Sequence, residues 1–141
     1  MGDLSPLLGM IEEYWNFERL DGFRSASVER QLNRLISEPH LGAAWIAHHG
    51  SAPVGYLLAA FVFSLEHLGV TAEIDELYVR RDARSAGIGH QLLDTAESAF
   101  AAAGCTLVSL RIATDNASGH QFYARGGYAT RANFGILEKP L

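Results

Sequence analysis

Arg84-Ser85-Ala86-Gly87-Ile88-Gly89 is the stretch of this sequence whose residue types point most directly to chemistry. It lies between a strand-like segment ending near Val79 and a run of apolar residues with helical period. Glycines there let the backbone approach a ligand closely, and the first amides and positive dipole end of a helix make a site for a phosphate or pyrophosphate. Arg80, Arg81 and Arg84 add positive charge. A dinucleotide-binding fingerprint would need a third small residue where Leu92 stands, and a P-loop would need Lys followed by Ser or Thr, so neither pattern fits. A tight strand-to-helix turn without a ligand accounts for the glycines but leaves the arginines unexplained.

Three carboxylates, Glu73, Asp75 and Glu76, interrupt the apolar residues Ile74, Leu77 and Val79 just upstream. Strand alternation predicts Glu73 and Asp75 on one face and Glu76 on the other. Two carboxylates on one face attract a cation and can relay its proton, with a raised pKa where burial is partial; the plain alternative is solvated strand charge. Tyr123, with its phenol pKa of about 10, stays protonated at neutral pH and suits a proton donor, or packs as an aromatic beside Phe122. Asn116 is well suited to cap the helix that follows it. His48, His49, His67, His90 and His120 show no metal-ligand spacing. Cys105, the only cysteine, excludes an internal disulfide and reads as a small core hydrophobe.

The elements that must carry these residues follow from period and punctuation. Ser5 as N-cap and Pro6 at the first helical position open a helix that Asp21-Gly22 breaks, and a second runs from about Ser27 until Pro39 forbids it. Residues 43–48 and 53–65 read as an antiparallel hairpin, and residues 71–80 as a third strand. The second arm is apolar on both faces and is expected at the centre of the sheet. Residues 87–103 form a long amphipathic helix stopped by Gly104. A strand over 106–112, a short helix over 116–125 closed by Gly126-Gly127 and a last strand over 128–137 complete the pattern.

A chain of 141 residues fits one domain with a real core, and its 48% hydrophobic, 19% charged composition is that of an ordinary soluble protein. The longest apolar run, residues 54–63, is too short to span a bilayer, and the N-terminus lacks a secretory signal, so a cytoplasmic location is expected. The net charge of -5 argues against general nucleic-acid binding and favours a cationic substrate.

The glycine turn R-S-A-G-I-G resembles the acetyl-CoA signature [QR]-x-x-G-x-[GA] of the GNAT superfamily of N-acetyltransferases. Residues 116–128, N-A-S-G-H-Q-F-Y-A-R-G-G-Y, resemble that family's N-x-x-A-x-x-[LF]-Y-x-[KR]-x-G-[FY] helix, with Gly119 in place of the usual Ala. The similarity includes I-D-E-L-Y-V and covers residues 54–128. It implies an α/β (α+β) fold with an open mixed, mostly antiparallel sheet flanked by helices, in the order α-α-β-β-β-α-β-α-β. The family's first strand is missing or vestigial, because only residues 1–4 precede the first helix.

The resemblance implies acetyl-CoA as the acyl donor, its pyrophosphate held by the amides of Ala86, Gly87, Ile88, Gly89 and His90. Ser85 belongs to the same turn, and Arg84 and Arg125 favour the anionic ligand. The pantetheine arm would pair with the exposed backbone of Leu77, Tyr78 and Val79, one of whose N–H groups would polarise the thioester carbonyl. Tyr123 would protonate the leaving thiolate, and Asn116 would contact the pantetheine or acetyl region, as well as or instead of capping its helix. Glu73, eleven positions before Arg84, matches the catalytic Glu of the histone-acetylating branch, with Asp75 beside it. The amine acceptor is a small molecule, aminoglycoside-like or polyamine-like, or a protein amine, in a pocket expected near residues 19–23 and 132–135. Homodimerisation through a tail of residues 128–141 is a candidate assembly. The competing reading is a non-catalytic acyl-CoA-binding regulatory module, which retention of Tyr123 and Asn116 argues against.

Overall fold

The computed structural model describes residues 4–141, so Met1 to Asp3, where any vestige of a leading strand would fall, lie outside it. Pro6 stands in the first turn of α1 (Ser5–Phe17), where its missing amide costs nothing. Leu4 occupies the N-cap position and no side chain caps the helix, so Ser5 is the first helical residue and not the expected cap. Leu7, Met10 and Ile11, spaced for one helical face, are buried. The second helix, α2 (Ser25–Ser37), starts two residues ahead of the expected Ser27 and stops before Pro39.

The sheet has the order β1-β2-β3-β4. Strands β1 (Gly42–His49), β2 (Ala52–Ser64) and β3 (Gly69–Val79) pair antiparallel in sequence, and β4 (Val108–Leu110) lies parallel to β3. The parallel step is made through α3 (Ile88–Ala102), as such a crossover requires. As expected, β2 is central, and its alternate residues serve two cores. Tyr56 and Leu58 join Leu7, Met10, Ile11 and Leu32 beneath α1 and α2. On the opposite face Phe61 and the β1 residue Trp45 meet Phe100 of α3 edge-on, at 6.2 and 5.4 Å between ring centroids. Helix α3 ends as expected at Gly104, where the Cys105 amide donates to the Phe100 carbonyl across a left-handed residue.

Two sequence expectations are corrected. The fourth strand is three residues long instead of spanning 106–112, and Cys105, ahead of it, is half-buried. Residues 128–137 form no strand: no segment among the described residues pairs with them, and from residue 129 onward every residue is exposed. A strand is held by ladder bonds and a buried face, and this Ala-, Asn- and Gly-containing segment secures neither. Among the described residues the sheet therefore has four strands.

The chain divides into two compact units, one ending at Arg111 and the other comprising Ile112–Leu141. The second contains α4 (Ala117–Arg125) and the irregular tail. Asn116 caps α4 by accepting the Gly119 amide at 3.0 Å. At the other end Gly127 is left-handed, and the amides of Gly127 and Tyr128 return to the carbonyls of Ala124 and Tyr123. This is the closure expected from Gly126-Gly127, and it brings the Tyr123 and Tyr128 rings to 5.5 Å.

Candidate functional site

After β3, a 3₁₀ turn at Arg81–Ala83 leads into the glycine segment. Ser85 and Gly87 both adopt left-handed backbone, with φ of 70° and 79°, and Gly87 is the N-cap of α3. No side chain caps α3, and no acidic residue lies in its first turn. The first backbone bond of the helix runs from the Gln91 amide to the Gly87 carbonyl, so the helix offers the amides of Ile88 and Gly89 no acceptor. Arg84, Ser85, Ala86 and Gly87 are exposed, and a Cβ built on Gly87 meets nothing within 4 Å. Open space before uncapped helical amides is the environment a diphosphate needs, and these residues fit one.

Arg84 does more than add charge to this turn. Its Nε donates to the Val79 carbonyl at 2.8 Å, and its guanidinium lies over the rings of Phe17 and Tyr78, at 5.1 and 5.6 Å. The side chain is thereby fixed at the end of β3. Arg80 instead pairs with Glu13 at 3.1 Å and donates to the Pro53 carbonyl.

Strands β3 and β4 pair only through Ala72, Glu73 and Ile74. Beyond Ile74 no strand among the described residues continues on that edge of β3, and Leu77, Tyr78 and Val79 pair only with β2. Tyr78 is buried against α1 and donates to Glu13 at 3.0 Å, and the open edge presents the backbone groups of these residues to any ligand in the gap.

The carboxylates depart from the sequence expectation. Leu58 pairs with Glu76 and Ala59 with Ile74, leaving Asp75 as the extra residue of a β-bulge. Alternation is reset there. Glu73, opposite Ala60, and Glu76, opposite Leu58, now share the face toward α1 and α2, so Glu76 does not point away from Glu73 as period two predicts. Glu73 lies 3.4 Å from the Arg111 guanidinium, while Asp75 is exposed.

Glu76 is the buried carboxylate, at 9% exposure. Its Oε1 accepts from the Tyr56 hydroxyl and its Oε2 from the Trp15 indole, both at 2.9 Å. Burial pushes its pKa from 4.5 up to about 7; the two hydrogen bonds oppose the shift and the Asp75 charge adds to it. Burial, with Glu76 next, holds the Tyr56 phenol well above its ordinary value, so it stays a donor.

Asp75 and Glu76 line a cavity of about 540 Å³ between the sheet and the first two helices. Ile11 and Trp15 form its α1 wall, Val28, Leu32 and Leu35 its α2 wall, and residues 58–60 of β2 its floor. Gly22, from the expected 19–23 region, also lines it, whereas residues 132–135 are exposed in the other unit. The Glu76, Trp15 and Tyr56 cluster was missed from sequence. Shared period between Glu76 and Tyr78 was the available signal, but the bulge that sets their face leaves no mark in residue types.

In the second unit, Tyr123 is half-buried with Phe122 and Tyr128 against its ring. Arg125 lies in the last turn of α4 and is exposed. A Cβ at Gly119 would stand 2.6 Å from the Asn116 carboxamide nitrogen and 2.8 Å from Ile112 Cδ1, so an alanine there would push these two side chains aside.

An open mixed sheet with helices against it, a strand edge left unpaired and an uncapped helix beside a glycine turn define an α/β protein with an anion-suited turn next to an open strand edge. The family model described as Acetyltransferase (GNAT) family matches residues 7–128, and the chain belongs to that family. No curated protein matches the sequence. Among solved structures, an integron cassette protein from the mobile metagenome of Cole Harbour Salt Marsh superposes with a TM-score of 0.86 at 24% identity, covering 99% of this chain and 86% of that one. An aminoglycoside antibiotic 6'-N-acetyltransferase from Acinetobacter haemolyticus gives 0.78 at 18%, covering 98% and 92%. A ribosomal-protein-alanine N-acetyltransferase from Brucella melitensis biovar Abortus 2308 gives 0.75 at 14%, covering 97% and 93%. At these identities the likeness establishes the fold.

Proposed function

We propose that this protein is an acetyl-CoA-dependent N-acetyltransferase acting on a primary amine, with residues 1–141 working as a single domain. The observation that carries the reading is the unpaired edge of β3 beyond Ile74, which leads directly to the exposed, uncapped turn before α3. The amides of Ala86 to His90 would hold the diphosphate, with Ser85 in the turn and Arg84 and Arg125 supplying positive charge. The backbone of Leu77, Tyr78 and Val79 would receive the pantetheine arm, and one N–H there would donate to the reacting carbonyl oxygen.

Acetyl-CoA supplies an acetyl group as a thioester: the amine nitrogen bonds to the carbonyl carbon, the carbon–sulfur bond breaks, and an amide and a free thiol result. The amine must arrive uncharged and must lose one further proton, and a base with a pKa near working pH suits both tasks. Of the expected carboxylates Asp75 lines the cavity, whereas Glu73 is engaged by Arg111. In this reading Asp75 attracts the cation, Glu76 takes the proton from nitrogen, and Tyr123 gives one to the sulfur. Asn116 fixes the start of the helix that carries Tyr123.

Calorimetric titration with CoA and acetyl-CoA tests the first half of the reading, and micromolar binding is expected. No uptake at millimolar ligand would overturn it. For the second half, Tyr123→Phe should lower kcat by about 10²- to 10⁴-fold while leaving CoA affinity within about two-fold. Unchanged turnover would remove Tyr123 from the proton path.

A further inference from the structure

We infer that the acceptor is a monoamine on an apolar body the size of an aryl-ethyl or branched alkyl group, seated between α1, α2 and β2 with its nitrogen at Asp75 and Glu76. This rests on the acetyltransferase reading above and narrows its substrate class. At about 540 Å³ the cavity is of ordinary small-ligand size. Ile11, Val28, Leu32, Leu35 and Leu58 dominate its surface, with the Trp15 ring beside the carboxylates. An aliphatic or aromatic body gains from that wall in proportion to the area it hides.

Charge on the wall is divided. Among the described residues, Asp75 and Glu76, adjacent on β3, are the only carboxylates lining it, and the only cations are Arg24 and Arg34 of the α2 side. The two carboxylates are adjacent and together match one ammonium, so a second ammonium held elsewhere along the wall meets no carboxylate. Arg34 is already paired with Glu38 at 3.1 Å, and Arg24 stands at the N-cap of α2, where the helix dipole is also positive. A polyhydroxylated sugar would bring hydroxyl groups against leucine and valine, and each left without a partner costs roughly ten-fold in affinity. The fold is shared with an aminoglycoside acetyltransferase, yet this wall is the wrong chemistry for that acceptor class.

The test is a comparison of four amines on the full chain: 2-phenylethylamine, 3-methylbutylamine, spermidine and kanamycin. Binding is measured by calorimetry with and without saturating CoA, and turnover by release of CoA thiol. The two apolar monoamines should bind at least ten-fold more tightly than the other two and should show the higher kcat/KM. Val28→Phe, which fills the α2 wall, should weaken 2-phenylethylamine more than 3-methylbutylamine. Should that variant fold poorly, Val28→Ala should weaken both by about five-fold through lost methyl contacts. Preference for spermidine or kanamycin, or indifference of 2-phenylethylamine to both Val28 variants, would overturn the inference. The binding arm stands apart from catalysis: failure to bind CoA would sink the acetyltransferase reading, while the order of amine affinities would still judge the cavity.

Discussion

Glu76 holds a carboxylate among a tyrosine, a tryptophan and a wall of aliphatic side chains, and its behaviour follows from who faces it. Trp15 of α1 and Tyr56 of β2 donate to it and Asp75 is its neighbour on β3; Tyr14 and Tyr78 pack against the Tyr56 ring, Glu13 accepts from Tyr78, and Arg24, at the N-cap of α2, and Arg34, within α2, line the same cavity. Raising a carboxyl from 4.5 to about 7 corresponds to roughly 3 kcal/mol against its charged form. The unfolded chain then releases this proton first, so the folded state binds more protons between those two values. Stability should fall as pH rises from about 4.5 to about 7 and level off above. Glu76→Gln should abolish that slope and raise the melting temperature at pH 8, because an amide can accept from Trp15 and donate to Tyr56. The same variant should remove the rise in kcat/KM that ends near pH 7. Thermal melts and pH–rate profiles of the two proteins check both; a retained limb at pH 7 would exclude Glu76 as the base.

At the scale of elements, the entry to α3 is the feature on which ligand binding depends. Gly87 sits at φ 79°, where an L side chain is strained by roughly 1–2 kcal/mol, although space around it is open. Gly87→Ala should therefore destabilise the protein by about 1 kcal/mol in urea titration. It should weaken CoA by more than that alone explains, about ten-fold, since the turn must relax away from the geometry that aims its amides. CoA affinity equal to wild type would show that the turn is structural only. The bulge at Asp75 is a second such device: one extra residue in β3 carries Glu76 to the face of the first two helices.

At the scale of the whole molecule, β2 is the shared wall of two cores, and an aromatic cluster beneath α3 anchors one of them. Phe100 is 1% exposed and meets Trp45 and Phe61 edge-on. Phe100→Ala should cost about 3–5 kcal/mol by transfer and cavity terms together, and lower the melting temperature by roughly 10–20 °C. Phe63, 71% exposed near the tip of the β2–β3 hairpin, should tolerate alanine within about 0.5 kcal/mol. None of the helices among the described residues is long and apolar enough to cross a membrane.

Sequence alone determined what is local. Helix periods, Pro6, Pro39, Gly104 and Gly127 fixed the start of α1 and both ends of α2, α3 and α4 to within two residues, whereas α1 stops at Phe17, short of the Asp21-Gly22 break; spacing of glycines and arginines marked the turn before α3. Two motifs in order, residues 84–89 and 116–128, are enough to indicate the family. What only the tertiary structure decided was which carboxylate is buried, how far β4 accompanies β3, and whether residues 128–137 find a strand partner. These are matters of pairing between distant segments. A single unpaired residue at Asp75 reverses the faces that period two assigns, and nothing in the identity of residues 73–76 encodes it.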